Sequence, residues 1–224
     1  EDIDKIIPRD EYLELLGEGI YKILKGMVYK MVIAACFYTV MNYFGTGGTW
    51  YSIAIYFYIY GVSLFFDFAG YSNMAIGASY IFGVKTPENF NAPFVSKDIK
   101  EFWNRWHMTL SFWFRDFLFS RITMALVRTR KIKNKLVIAS IAFMINMFVM
   151  GVWHGLELNY IVYGLYHGVL LSACEIFQKK SKFYKAHKKE KWFIGVSWFI
   201  TLHLVMFGFF IFSGRLGILL SGQG

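Results

Sequence analysis

Charge, proline and cysteine are all scarce in this chain of 224 residues. Charged residues make up 17%, against roughly 25% in soluble domains. Only 15 are acidic. Of three prolines, two fall in Thr86-Pro-Glu-Asn-Phe-Asn-Ala-Pro-Phe, which predicts a loop there. Two cysteines, Cys36 and Cys174, both sit inside apolar segments, so no disulfide framework is indicated. They read as small buried hydrophobes; lipidation of Cys174, near a basic loop, is the alternative. Internal repeats, low-complexity segments and the inverted repeats of secondary transporters are all absent. So is the Gly-x-Ser-x-Gly nucleophile elbow. His107 and Asp116 are eight residues apart, so no His-x4-Asp motif is present either. The five histidines match no metal-ligand spacing and have few acidic neighbours, so no metal site is expected.

What remains is apolar. Hydrophobic residues are 56% and aromatic residues 21%, arranged in long blocks with the charges gathered between them. A membrane helix needs about 20 such residues. The pattern predicts an all-α, polytopic membrane helical bundle with about five spans, re-entrant and interfacial helices, and one membrane domain over 1–224. Spans are placed at about 20–44, 50–66, 136–153, 159–178 and 192–213. Residues 10–18 and 121–135 read as interfacial helices, and Gly45–Thr49 as a turn. Polar residues and glycines between Asp67 and Gly83 predict a kinked or re-entrant helix, tolerated at depth only where protein or water lines it. Residues 98–120 form one helix or two. The chain opens Glu1-Asp-Ile-Asp, which reads as part of something longer.

The net charge of +9 is local. Arg128–Lys135 holds five basic residues and Lys179–Lys191 seven lysines. Both lie between apolar blocks and read as cytoplasmic loops in contact with the lipid bilayer, not as a nucleic-acid site. The resulting topology puts residue 22 inside, 45–49 outside, 84–135 inside, 151–159 outside and 179–191 inside.

His154 ends a nearly unbroken apolar run. An ionisable side chain there is costly and usually faces a cavity or a partner. His107 lies in Glu101-Phe-Trp-Asn-Arg-Trp-His-Met-Thr-Leu-Ser-Phe-Trp-Phe-Arg-Asp, on an apolar stripe, with Asn104, Ser111 and Arg115 on another face. The topology brings His154 from the outer side and His107 from the inner side, so a passage with a histidine on each wall is expected. A buried neutral imidazole suits general-base catalysis near pH 7. Gly151 and Gly155, flanking Trp153-His154, would open backbone to a substrate. The bland alternatives are a satisfied core histidine at either place, packing for His203, a helix-bridging His167 and a solvated His187. Arg115-Asp116 reads as an ion pair at a helix joint, and Asp67 as a partner for a lysine or arginine.

Phe66-Asp-Phe-Ala-Gly-Tyr-Ser-Asn-Met-Ala-Ile-Gly, Pro87–Phe94, the tryptophan-rich block, Gly151-Val-Trp-His-Gly and Tyr163-Gly-Leu-Tyr-His-Gly together resemble the membrane-bound O-acyltransferase superfamily. The resemblance covers about residues 10–213. It is strongest to the branch that moves D-alanine to teichoic acid in Gram-positive bacteria, with the alginate-type O-acetyltransferases close by. It implies a carboxy-terminal part of such an enzyme in a bacterial cell membrane. His154 and His107 would be its catalytic histidines, and Trp153, Asn104, Ser111, Asn73 and Asp67 would line the substrate tunnel. No cofactor would be bound; the phosphopantetheine thioester arm of an acidic carrier protein would enter from the cytoplasm. Arg121, Arg128, Arg130 and Lys131 would meet that carrier. A membrane-anchored partner of D-alanylation and the teichoic acid acceptor complete the set. The rival readings are a polysaccharide O-acetyltransferase, half of a channel or transporter, or a structural membrane subunit.

Overall fold

The computed structural model describes residues 7–44 and 49–221, so the turn expected over 45–49 falls largely outside the described residues. The described residues contain helices and no strand. Five helices are long and apolar enough to cross a membrane. The chain packs as two compact units, Glu1–Phe90 and Asn91–Gly224.

Unit 1 is a pair of long helices. Helix α1 runs Arg9–Phe44, passing through a π-helical stretch at Val28–Ala34. Residues 10–18 are therefore its first turns, not a separate helix. Helix α2 runs Trp50–Ile81 without a break. At 1.5 Å per residue its 32 residues extend about 48 Å, more than the roughly 30 Å of bilayer hydrocarbon.

The segment beyond Phe66 expected to be kinked or re-entrant is thus the second half of one continuous helix, which does not turn back. Its polar groups are satisfied locally. Asn73 Nδ2 donates to the Ala69 carbonyl of its own helix at 2.7 Å, and buried Ser72 accepts from Asn89 Nδ2 at 3.0 Å. The glycines are contact points. A Cβ on Gly70 would lie 2.8 Å from the Gly26 carbonyl oxygen, and one on Gly77 2.5 Å from that of Gly19. Small residues let the two backbones touch, as membrane helix pairs do. Leu15, Ile76 and Tyr80 form the core beside them, with Ile7 packed on it.

Unit 2 begins with a short 3-10 turn, Pro93–Val95. Helix α3, Ile99–Trp103, is capped by Asp98, whose carboxylate accepts from the Lys100 and Glu101 amides at 2.9 Å. The chain then reverses. Helix α4 starts at Met108, passes from Trp113 through a π-helical stretch at Phe114–Phe119, and continues as α5, Ser120–Thr129. Arg130, with φ +54°, ends it. The interfacial helix expected over 121–135 accordingly stops at Thr129, and Lys135 already belongs to the next span.

That span is α6, Lys135–His154, followed by α7, Leu158–Lys180. They form a tight hairpin: a Cβ on Gly164 would lie 2.3 Å from the Met147 carbonyl oxygen, and one on Gly151 2.5 Å from that of Tyr160. Short helix α8, Lys182–His187, leads to the last span, α9, Lys191–Phe212. A short α10, Arg215–Leu220, closes the unit. The three spans of unit 2 start and end within two residues of their expected limits.

Candidate active site

The site is built on the reversal between α3 and α4. His107 occupies it with φ +46° and ψ +52°, a left-handed conformation that costs a β-carbon-bearing residue energy and persists only where its surroundings enforce it. Those surroundings are aromatic. Phe102, Trp103 and Trp106 are buried. Phe102 and Trp106 stack with centroids 5.6 Å apart, and Trp106 also meets Phe209 of α9 at 4.8 Å. His107 is therefore the joint between two helices, the second of the two arrangements expected over 98–120. Burial pushes its imidazole down to about 4, with the neighbouring His154 as the second cause. It is neutral near pH 7.

His154, the last residue of α6, is the second member of the pair. It is close enough for its charge to act on His107. Four rings surround it: Trp153 at 4.9 Å, Phe212 at 5.2 Å edge-on, Tyr160 at 6.3 Å and Tyr163 at 6.4 Å. Trp153 is itself 58% exposed, so this cage is open on one side. Both histidines remain partly accessible. A partly accessible imidazole in an aromatic cage, with a second imidazole near enough to feel its charge, can accept a hydroxyl proton at a ring nitrogen.

The flanking glycines do not open backbone to a substrate. Gly151 meets the backbone of α7. A Cβ on Gly155 would run into the Tyr160 ring at 2.7 Å, and the Gly155 amide already donates to the Val152 carbonyl at 3.2 Å.

His167 is the imidazole the sequence underrates. It is fully buried in α7. Trp103 Nε1 donates to its Nδ1 at 3.3 Å, which leaves the proton of the neutral ring on Nε2. That nitrogen has no hydrogen-bond partner and faces Gly208, where a Cβ would sit 2.5 Å away. The Trp103–His167 contact ties α3 to α7. Tyr163 touches both His167, at 4.6 Å, and His154.

Asn104 and Ser111 open on a cleft of about 210 Å³, shared with Lys100, Arg115, Met147 and Met150. Ser111 Oγ donates to the Trp106 carbonyl at 3.0 Å. Buried Asn146 also lines this cleft, and its Oδ1 has no partner. Asn146 was not singled out from sequence, although an amide within an apolar span was the available signal. Asp67 and Asn73 belong to unit 1, and their polar atoms are engaged there. Asp67 pairs with Lys30 at 2.5 Å, and Asn73 bonds within α2. Arg121, Arg128, Arg130 and Lys131 are exposed on α5 and the turn after it, without an ion pair among the described residues. Arg115 pairs with Asp116 at 2.8 Å and holds that carboxyl below the usual range. His203 Nδ1 lies 2.7 Å from the Phe199 carbonyl and His187 Nδ1 3.0 Å from Glu190. The described residues hold no group of three potential metal ligands.

A helical membrane unit with two partly accessible histidines, one of them in an aromatic cage, is the setting in which the family is read. Residues 21–214 match the profile of MBOAT, the membrane-bound O-acyltransferase family. The chain belongs to that family and is a multi-pass membrane protein. It is 46% identical to the teichoic acid D-alanyltransferase of Bacillus subtilis (strain 168) over 218 residues, covering 96% of this chain and 55% of that protein. It is 41% identical over 232 residues to the teichoic acid D-alanyltransferase of Streptococcus thermophilus, covering 96% and 56%. A probable alginate O-acetylase of Pseudomonas syringae pv. tomato is 32% identical over 218 residues, 95% of this chain and 39% of that protein. The chain thus spans little more than half the length of the D-alanyltransferases it matches.

Proposed function

We propose that this chain carries the histidine-bearing part of an O-acyltransferase that moves D-alanyl groups to teichoic acid. The observation that carries the reading is the placing of two partly accessible histidines, His107 at a forced reversal and His154 in a cage of rings, close enough for the charge of one to act on the other. They come from separate elements, one conformationally forced and neutral, the other at the mouth of a span. The 46% identity to a D-alanyltransferase favours D-alanine as the acyl group.

In this reading His154 takes the proton of the acceptor hydroxyl as that oxygen attacks the thioester carbonyl. The tetrahedral intermediate collapses, the C–S bond breaks, and the imidazolium returns the proton to the departing thiolate. His107, neutral at working pH, hydrogen-bonds the reacting groups. The thioester is carried by the phosphopantetheine arm of an acidic carrier protein arriving from the cytoplasm, and the acceptor enters from the outer face. The unpaired cations Arg121, Arg128, Arg130 and Lys131 suit an acidic carrier, since opposite charge steers encounter. A membrane-anchored partner of the same system presents or receives the acyl group.

The test is transfer of labelled D-alanine by the full-length protein in membranes supplied with loaded carrier. His154→Ala should abolish transfer with normal membrane insertion; wild-type transfer by that variant would end the assignment. Reversing Arg128, Arg130 and Lys131 to Glu should weaken carrier binding. The second reading is polysaccharide O-acetylation, favoured by the alginate-type relative. Supplying labelled acetyl donor in the same assay separates the two.

A further inference from the structure

On the face of unit 2 that carries the lysine-rich segment, α7, α8 and α9 enclose a groove of about 550 Å³, within the roughly 300–1,000 Å³ of small-molecule sites. Its walls are apolar: Leu170, Ala173 and Phe177 from α7, and Ile200 and Leu204 from α9. Its mouth is different. Lys97, Lys188, Tyr184 and Trp192 gather there. From Trp192 to Leu204 the α9 wall descends about 18 Å at 1.5 Å per residue, close to one leaflet of a hydrocarbon core roughly 30 Å thick. Trp192, 52% exposed, stands where interfacial tryptophans stand.

The charges at the mouth are unbalanced. Asp98 also lines the groove; it accepts from the α3 amides and from Gln178 Nε2 at 3.0 Å and keeps its negative charge near Tyr184. Glu175 holds Lys100 and Lys179. Glu190 holds His187 and accepts from Trp192 Nε1. Lys97 and Lys188 are exposed and have no ion pair among the described residues. Burial raises the Tyr184 phenol, which keeps its proton to donate.

We propose that this groove holds one anionic diacyl phospholipid of the cytoplasmic leaflet. Its acyl chain lies between α7 and α9, and its phosphate is held by Lys97, Lys188 and the Tyr184 hydroxyl. The leaflet-deep apolar wall and the excess of positive charge at its end, where Lys97, Lys188 and the other lysines of 179–191 outnumber Asp98 and Glu190, together select this occupant. A covering segment of the protein's own longer chain would need carboxylates to meet the same lysines. The site is separate from the histidine pair and does not depend on the acyl-transfer reading.

The full-length protein should be reconstituted in nanodiscs containing phosphatidylglycerol or phosphatidylcholine, extracted, and weighed intact by native mass spectrometry. One phosphatidylglycerol should stay bound, and phosphatidylcholine should not. An anionic lipid gains about five-fold in affinity per nearby lysine, so Lys97→Gln with Lys188→Gln should lower retention by roughly tenfold or more. Ala173→Trp, which fills the apolar arm and leaves the lysines in place, should also lose the lipid. Lys182→Gln with Lys185→Gln should keep it. Thermal melts matching wild type establish that each variant is folded. A photo-crosslinking side chain at Ala173 should add the mass of a lipid. Equal retention of the two lipids, indifference to the Lys97 and Lys188 changes, or crosslinking to the polypeptide itself would each overturn the proposal.

Discussion

Unit 2 holds two kinds of imidazole, and their surroundings divide structure from chemistry. His167 is sealed. It receives one hydrogen bond from Trp103, is pressed against Gly208, and has no route to solvent. His107 and His154 are partly accessible and near enough for charge to act between them, and His154 lies beside the exposed Trp153. All three sit in short aromatic motifs that look alike in sequence. The difference is one of depth. A ring that a substrate cannot reach acts only through the helices it ties together.

The sharpest break in that comparison is expected at His154. His154→Gln should cut acyl transfer by about 10²–10⁴, the usual worth of a positioned base, and leave the melting temperature near wild type. A large fall in stability with residual transfer would place His154 with His167 instead. Crowding His167 should do the reverse. In Gly208→Ala the new methyl would meet Nε2 at 2.5 Å, and overpacking of this kind costs about 1–3 kcal/mol. The check is thermal unfolding in detergent, with transfer per folded molecule largely retained. Trp103→Phe should cost about 1 kcal/mol for the lost hydrogen bond. Together with Gly208→Ala it should deviate from additivity, because both changes act on one ring.

Much of this was legible in sequence because membrane spans are written in long, simple runs. Both ends of α6, α7 and α9 are marked by lysines, glutamates or glycines, and hydrocarbon tolerates little between them. The second half of α2 continues the helix where a re-entrant turn was one expectation, and the reason is physical. Gly70 and Gly77 look like helix breakers but serve backbone contact, and Asn73 looks like a polar defect but bonds inside its own helix. Composition alone does not separate a glycine that bends a helix from one that lets a neighbour approach. His107 and His154 stood out because an ionisable group in an apolar block needs an explanation. Tyr160, Tyr163 and Phe212 did not, because cage aromatics and ordinary core aromatics have the same sequence signature. His167 was underrated for the opposite reason: its importance comes from Trp103, 64 residues away, which no local pattern reveals.

The smallest effect is the most diagnostic of how His107 is held. Its imidazole titrates at about 4 in the folded protein, against 6.5 when unperturbed. Between those values the unfolded chain binds a proton that the folded chain refuses. Unfolding therefore becomes easier as pH falls from 6.5 toward 4, and this contribution is constant above 6.5. His107→Gln removes the titrating group, so the variant's melting temperature should fall less steeply over that window than wild type. At pH 7 to 8 His107 stays neutral, and any limb in the transfer rate there belongs to another group. An unchanged acid slope in His107→Gln would mean that water reaches the reversal between α3 and α4 freely, and the open cage would then be a solvated notch with no power to keep an imidazole uncharged.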